Sequence, residues 1–389
     1  MHKYIAVDSE ARRKLKTAHS TFMQSITKEG APKAYSQPGS RGIVSTAGGP
    51  LLPVFLVTLY MLRKSGSELP VELFLADQSE YDPFICEDML PAMNAKCIVL
   101  ADILDMSPPE QGLKKYQFKI FSLLFSSFEQ LIFLDADDFP LRDPNFLFDS
   151  EPYLSTGMIT WPDFWKVTYH ESFFEVTSQP VPASFPYAST ESGQIVLDKR
   201  RHHQTLLLST YYNFYGPSHY YPMLSQGAPG EGDKETFVVA ARRFNLSSYE
   251  VQAGPSALGR FNNGKYQGSG ILQADPTWDF EASNGTISGK GRKPPPGSAL
   301  LFLHVNLPKL NPQRLFGPDG YALDSEGNPS RIWSADIAKK FGSDIEQVVW
   351  ECLHSLTCKL ENEGHRTWDN GAQYCDKIEQ YQFKLFGES

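Results

Sequence analysis

The chain is short of positive charge and of cysteine, and it has no long apolar run. Its 36 Lys and Arg face 45 Asp and Glu across 389 residues, a net charge of −9. That balance argues against a nucleic-acid-binding surface as the main function, while leaving room for a local basic cleft. The longest apolar run, Leu51 to Leu62, is broken by Pro53 and Thr58 and falls short of the roughly 20 apolar residues a membrane span needs. Met1 to Lys16 is polar and basic, with no apolar signal core. Among the five cysteines there is no Cys-x-x-Cys, so a zinc knuckle is not indicated. Cys86 and Cys97, with Cys352, Cys358 and Cys375, read either as buried free thiols or as one or two disulfides of an oxidising compartment. The sequons Asn245-Leu246-Ser247 and Asn284-Gly285-Thr286 lean toward the second reading. No internal repeat is present.

What is there is an ordinary packed chain, 41% hydrophobic and 21% charged. Its length exceeds the roughly 250–300 residues at which a single core stops growing, so one large domain with embellishments, or a domain plus a cap, is expected. Aromatic residues reach 13%; most serve the core, and some suit stacking on sugars.

Residues 1–40 read as a polar helix followed by a Gly/Pro/Ser linker from Gly30 to Ser40. Gly42 to Ala47 then reads as a buried strand, Gly48-Gly49-Pro50 as a turn, and Leu52, Phe55, Leu56, Leu59 and Leu62 as one face of a helix that Gly66 stops. The unit recurs: strands at 71–76, 97–101 and 131–134, helices around 81–93 and 116–128. Alternation of this kind implies a mostly parallel sheet covered on both faces. Strands at 157–161 and 194–197 and helices from 199 and 233 follow. Residues 254–297, rich in Gly, Asn, Ser and Pro, read as a long surface loop. A last strand, 299–303, runs into His304, and 321–389 reads as a helical C-terminal extension of a 41–320 catalytic domain.

Asp77, Asp102 and Asp135 each end a strand, where open parallel sheets bind ligands, and some of them read as plain helix N-caps. Four apolar residues, Leu131 to Leu134, lead into Asp135-Ala136-Asp137-Asp138. Carboxylates at that place either hold a divalent metal against a diphosphate or form a solvated acidic turn. His304, at the end of the last strand, reaches Asp137 if that strand packs in parallel, and a histidine with carboxylates suits Mn²⁺ better than Ca²⁺. Alone it reads as a core histidine. Lys309 neutralises a leaving phosphate or is a surface lysine. In Gly230-Glu231-Gly232-Asp233-Lys234 the glycines allow close approach to a ligand, or Asp233 caps a helix. Thr190-Glu191-Ser192-Gly193-Gln194 offers an acid and an amide to sugar hydroxyls, or is a polar turn.

Five blocks, Tyr116 to Lys119, Phe133 to Asp137, Glu191 to Gln194, Gly230 to Lys234 and His304 to Lys309, come in the order seen in fungal alpha-mannosyltransferases. Over residues 41–315 the chain resembles the alpha-1,2 branch that decorates the mannan outer chain. The resemblance implies an α/β fold of GT-A-like, Rossmann-related type, with a mixed, mostly parallel central sheet flanked by helices. It implies a GDP-mannose donor, Mn²⁺, a mannose-terminated glycan or glycoprotein acceptor, and retention of the anomeric configuration. By position, Asp135, Asp137 and His304 resemble the metal ligands. Lys119, Lys309 and, at its strand end, Asp77 are the candidate donor-binding residues, and Glu191 and Asp233 fall where donor sugar and acceptor are handled. Relatives sit in the Golgi behind an N-terminal anchor that is not seen in this chain, so the Golgi lumen is the expected location.

The expected chemistry is front-face attack by the acceptor hydroxyl, with Glu191 or Asp233 as covalent nucleophile the alternative. Three rivals stand beside it: a UDP-sugar transferase of the same fold, a non-catalytic glycan-binding relative, and a phosphohydrolase. The last wants Asp-x-Asp-x-Thr, and Phe139 stands in its fifth position.

Overall fold

The computed structural model describes all residues except 1–4, 32, 105–111, 184, 186–187, 229, 231, 284–298, 335, 365–371 and 388–389. Glu231, the sequon at Asn284 and the prolines at 294–296 therefore lie outside the described residues. Eleven strands are described. The first four are β1 (Gln37–Thr46), β2 (Val71–Leu75), β3 (Ala95–Val99) and β4 (Phe128–Leu134). Then follow β5 (Asp138–Pro140), β6 (Met158–Pro162), β7 (Thr190–Asp198) and β8 (Tyr249–Glu250), and finally β9 (Ser256–Asn262), β10 (Lys265–Ala274) and β11 (Leu300–His304). They form a seven-stranded sheet in the order β3-β2-β1-β4-β7-β6-β8 and a four-stranded sheet in the order β5-β11-β10-β9.

The large sheet is mixed and mostly parallel, as expected: β7 runs antiparallel to both β4 and β6, and the other neighbours are parallel. Alternate residues of its central strands enter different cores. Ile43, Leu73 and Ile132 pack on one side, and Val44, Phe74 and Phe133 on the other. Burial on both faces explains why these strands read as continuous apolar runs rather than as alternation. The helix Leu52–Lys64 buries Phe55, Leu56, Leu59 and Leu62 in the first core. The C-terminal helix Ile345–Asn362 packs on that helix and adds Val349, Trp350 and Leu353 to the same core.

Four expectations change. The linker ends early, because β1 already begins at Gln37. The N-terminal helix Ser9–Thr27 is capped by Asp8 and buries His19, Met23 and Ile26 against the aromatic cluster of Tyr169, Phe173 and Tyr212. Of the expected loop at 254–297, the described residues 254–283 are largely ordered structure: β9, β10 and the helix Pro276–Ala282. Its turn is Asn263-Gly264, both at positive φ (49° and 76°), the residue pair that a tight hairpin favours. The helix expected at 81–93 is a wide π-type turn at Phe84–Met89 followed by a 3₁₀ turn at Pro91–Met93.

Four cysteines are paired, Cys86 with Cys97 and Cys358 with Cys375, and Cys352 is a buried free thiol. Among the described residues no helix is long and apolar enough to cross a membrane.

Candidate active site

The two sheets meet at the acidic turn. After β4 ends, the Asp135 N–H donates to the Gly193 carbonyl (2.7 Å) and the Asp138 N–H to the Asp135 carbonyl (3.0 Å). The chain then enters β5, which pairs antiparallel with β11 so that Asp138 stands opposite His304. The parallel approach expected for His304 is thus replaced by antiparallel pairing in the second sheet, with the same outcome for the imidazole. The Val305 N–H donates to the Asp137 carbonyl (2.8 Å), and Thr58 from the helix Leu52–Lys64 donates to the Ala136 carbonyl (2.7 Å). Every residue of the turn is therefore anchored to a neighbouring element.

The charges are paired in detail. His304 Nε2 lies 3.3 Å from Asp137 Oδ1, and its Nδ1 lies 3.5 Å from Glu191 Oε1. Lys309 Nζ bonds Asp137 Oδ2. Lys119, from the helix Gln117–Phe125, donates to the Ser192 carbonyl (2.6 Å), the Ser192 hydroxyl (2.9 Å) and Asp135 (3.2 Å). Burial would raise the carboxyl of Asp137, but His304 and Lys309 outweigh it and hold it well below the usual range. Burial would likewise lower His304, yet Asp137 and Glu191 raise it well above an ordinary histidine. Asp138, fully buried, is pushed well up by burial and by the neighbouring acids.

Glu191 accepts from the Gly193 N–H with both oxygens (2.9 and 3.0 Å). Gly193 is required at this place, since a Cβ would sit 2.6 Å from His304 Nδ1 and 2.9 Å from Glu191 Oε2. The Gln194 amide, with its nitrogen toward the acids, donates to Asp138 Oδ2 and to Glu191 Oε2 (3.2 Å).

A cleft of about 560 Å³ opens over this turn, lined by Lys119, Asp135, Glu191, Asp233 and His304 among others. Seven of the eight residues expected to form the site are thus gathered in or directly behind it. Asp77 is not: it is exposed at the end of β2, where its carboxylate accepts from Ser79 N (2.8 Å). Burial first, then Asp135, push the Asp233 carboxyl up to about 6 against Lys119 and the Lys234 N–H. Glu235 positions it by accepting from Ser189 Oγ (2.5 Å), Thr190 N (3.0 Å) and Tyr169 Oη, which ties this turn to the start of β7. Gly232, at φ 91°, leaves no room for a Cβ beside the Tyr221 backbone.

The donor set fits a divalent cation. Asp138 Oδ1 is buried without a hydrogen-bond partner, and Asp138, Glu191 and His304 present ligand atoms within 4.8 Å of one another. An imidazole among carboxylates suits a borderline ion. Sequence reasoning missed Asp138 and Gln194 as members of this cluster. The signals were present, a third acid in the turn and an amide directly after a strand glycine, but nothing in the sequence showed which strand faces them.

The family model described as "Mannosyltransferase putative" matches residues 40–186 and 175–275. The alpha-1,2-mannosyltransferase MNN2 of Saccharomyces cerevisiae is 32% identical over 90% of this chain and 69% of its own length. Alpha-1,2-mannosyltransferase MNN21 of Candida albicans is 30% identical over 92% of this chain and 63% of its own length, so the chain spans about six-tenths of that relative. Among solved structures, the glycosyltransferase GlyE of Streptococcus pneumoniae overlays on 55% of this chain and 45% of its own, with 12% identity and a TM-score of 0.34. By its match to the family model and to the yeast enzyme, the chain belongs to this family of fungal mannosyltransferases.

Proposed function

We propose that the chain is a retaining, metal-assisted glycosyltransferase of GT-A-like architecture. In this reading it moves mannose from GDP-mannose to a mannose hydroxyl of a glycan, in α-1,2 linkage. The observation that carries the reading is the meeting of His304 with Asp137 and Glu191, 3.3 and 3.5 Å apart, beside Asp135 and two lysines.

Asp135, Asp137 and His304 would hold Mn²⁺ in the assignment the family resemblance gives, with Asp138 and Glu191, whose ligand atoms stand within 4.8 Å of those of His304, the further candidate ligands; the ion would stabilise charge on the departing diphosphate. Lys309 and Lys119, already at Asp137 and Asp135, bring positive charge to the phosphates.

The acceptor hydroxyl oxygen forms its bond to the anomeric carbon on the face that GDP leaves. The bond from that carbon to the phosphate oxygen breaks, with its electron pair going to the diphosphate. The hydroxyl proton goes to a β-phosphate oxygen. Glu191, with both oxygens on Gly193 and its edge on His304, suits positioning. Asp233, in the lining of the cleft, suits contact with sugar hydroxyls. The acceptor is a mannose-terminated glycan or glycoprotein. Two disulfides suit the Golgi lumen, an oxidising compartment.

The test is incubation with α-mannobiose and Mn²⁺ against GDP-mannose or a UDP-sugar, with the product linkage read by NMR. An α-1,2-linked trisaccharide from GDP-mannose alone is expected. Transfer from the UDP-sugar instead, or a mannosyl ester trapped on Glu191 or Asp233, would contradict the donor or the front-face route respectively.

A further inference from the structure

Phe164 and Trp165 follow β6 after one residue, Asp163, and line the cleft, 49% and 51% exposed. Trp161, Trp333 and Trp350 are by contrast fully buried. A large ring left half in water is tolerated where its face meets a ligand.

The backbone under these rings is fixed. The Asp163 N–H donates to the Ser189 carbonyl and the Ser189 N–H to the Trp165 carbonyl, both at 2.7 Å. The Phe164 N–H donates to Asp163 Oδ1 (2.6 Å), and Lys234 Nζ holds Asp163 Oδ2 at 2.5 Å. The result is two apolar ring faces on a pinned loop, with a carboxylate and an ammonium beside them in the same cleft. A pyranose has the matching chemistry, one C–H face and a rim of hydroxyls.

The strand order says which sugar. In the parallel part of the sheet, winding reverses between β1 and β4, and an open sheet takes its nucleotide in that crevice. β7 and β6 lie on the other flank of β4, so Trp165 is on the side away from the nucleoside.

Resting on the reading above, we infer that Phe164 and Trp165 form the platform on which the terminal mannose of the acceptor stacks, with the Asp163–Lys234 pair taking its hydroxyls.

The experiment titrates α-1,2-mannobiose into the full chain by saturation-transfer NMR, and measures transfer kinetics for both substrates. Trp165→Ala is expected to lose the mannobiose signal and to raise the acceptor KM about tenfold, the scale of one stacked ring, with the donor KM moving less than about twofold. Trp165→Phe, which keeps a ring, is expected to stay within about threefold of the parent chain. Mannobiose binding retained in Trp165→Ala would overturn the platform. Mannobiose binding that depends on Trp165 in a chain that transfers nothing from GDP-mannose would uphold the platform and count against the donor reading.

Discussion

His304 Nε2 sits 3.3 Å from Asp137 Oδ1 because β5 and β11, one on each side of the molecule's long middle segment, pair antiparallel with Asp138 opposite His304. Two sheets meet at that contact. The turn that leaves the large sheet becomes an edge strand of the small one, so the acids of β4's end and the imidazole of β11's end share one space.

Asp137 is the acid most tightly bound to this arrangement. Asp137→Asn keeps the shape and removes the charge that His304 and Lys309 both face. Transfer is expected to fall by about 10²–10³-fold, with the circular dichroism spectrum unchanged. Activity within a few-fold of the parent would remove Asp137 from the site.

Gly193 sets how closely His304 approaches Glu191. A methyl group there meets His304 Nδ1 at 2.6 Å, so Gly193→Ala is expected to displace the ring and to cost on the order of 10²-fold in turnover. The same variant should weaken Mn²⁺ binding in an EPR titration. Unchanged affinity and turnover would show that the ring has room to spare.

His19 joins the N-terminal helix to the rest of the protein, its Nε2 3.0 Å from the Tyr212 hydroxyl and the two rings stacked. Burial, aided by Arg243, pushes it down to about 4 from 6.5. The unfolded chain therefore binds one more proton between those values, so stability is full above pH 6.5 and falls as the pH drops toward 4. The loss across that window is about 3 kcal/mol. Urea unfolding at pH 7 and pH 4.5 should show it, and His19→Phe should flatten that part of the slope. An equal slope in the variant would place the proton elsewhere.

The Cys358–Cys375 disulfide, 17 residues apart, links the last two helices. Replacing both cysteines by serine is expected to lower the stability by about 3 kcal/mol. Glu361 should keep the junction in place, since it accepts from the Tyr374 and Cys375 N–H groups (2.6 and 3.2 Å). No loss in urea unfolding would show that Glu361 alone suffices.

The buried parallel strands were readable because burial on both faces makes their sequences continuously apolar. The acidic turn was readable because four such residues lead into it. The hairpin of β9 and β10 was not, because Gly259, Gly268, Ser269 and Gly270 dilute the apolar signal. The strands pack there through bare backbone: a Cβ on Gly259 would meet the Gln267 carbonyl at 2.0 Å. The Asn263-Gly264 pair was the signal to weigh more. β5 has three residues, too few for any periodicity, so the antiparallel route of His304 to Asp137 was hidden. The disulfide pairing stayed open because four of five cysteines admit several pairings at these spacings. Asp77 was placed by strand ends alone, and its carboxylate caps the Gln78–Glu80 turn.

The most direct measurement of the central claim is mannose transfer from GDP-mannose to α-mannobiose by the purified chain, with Mn²⁺ and with EDTA, for the parent protein and His304→Ala. The account predicts transfer that EDTA abolishes and Mn²⁺ restores in the parent, and a His304→Ala chain that needs far more Mn²⁺ for what activity it keeps. Transfer that persists undiminished in EDTA, or one Mn²⁺ dependence shared by both chains, would contradict it.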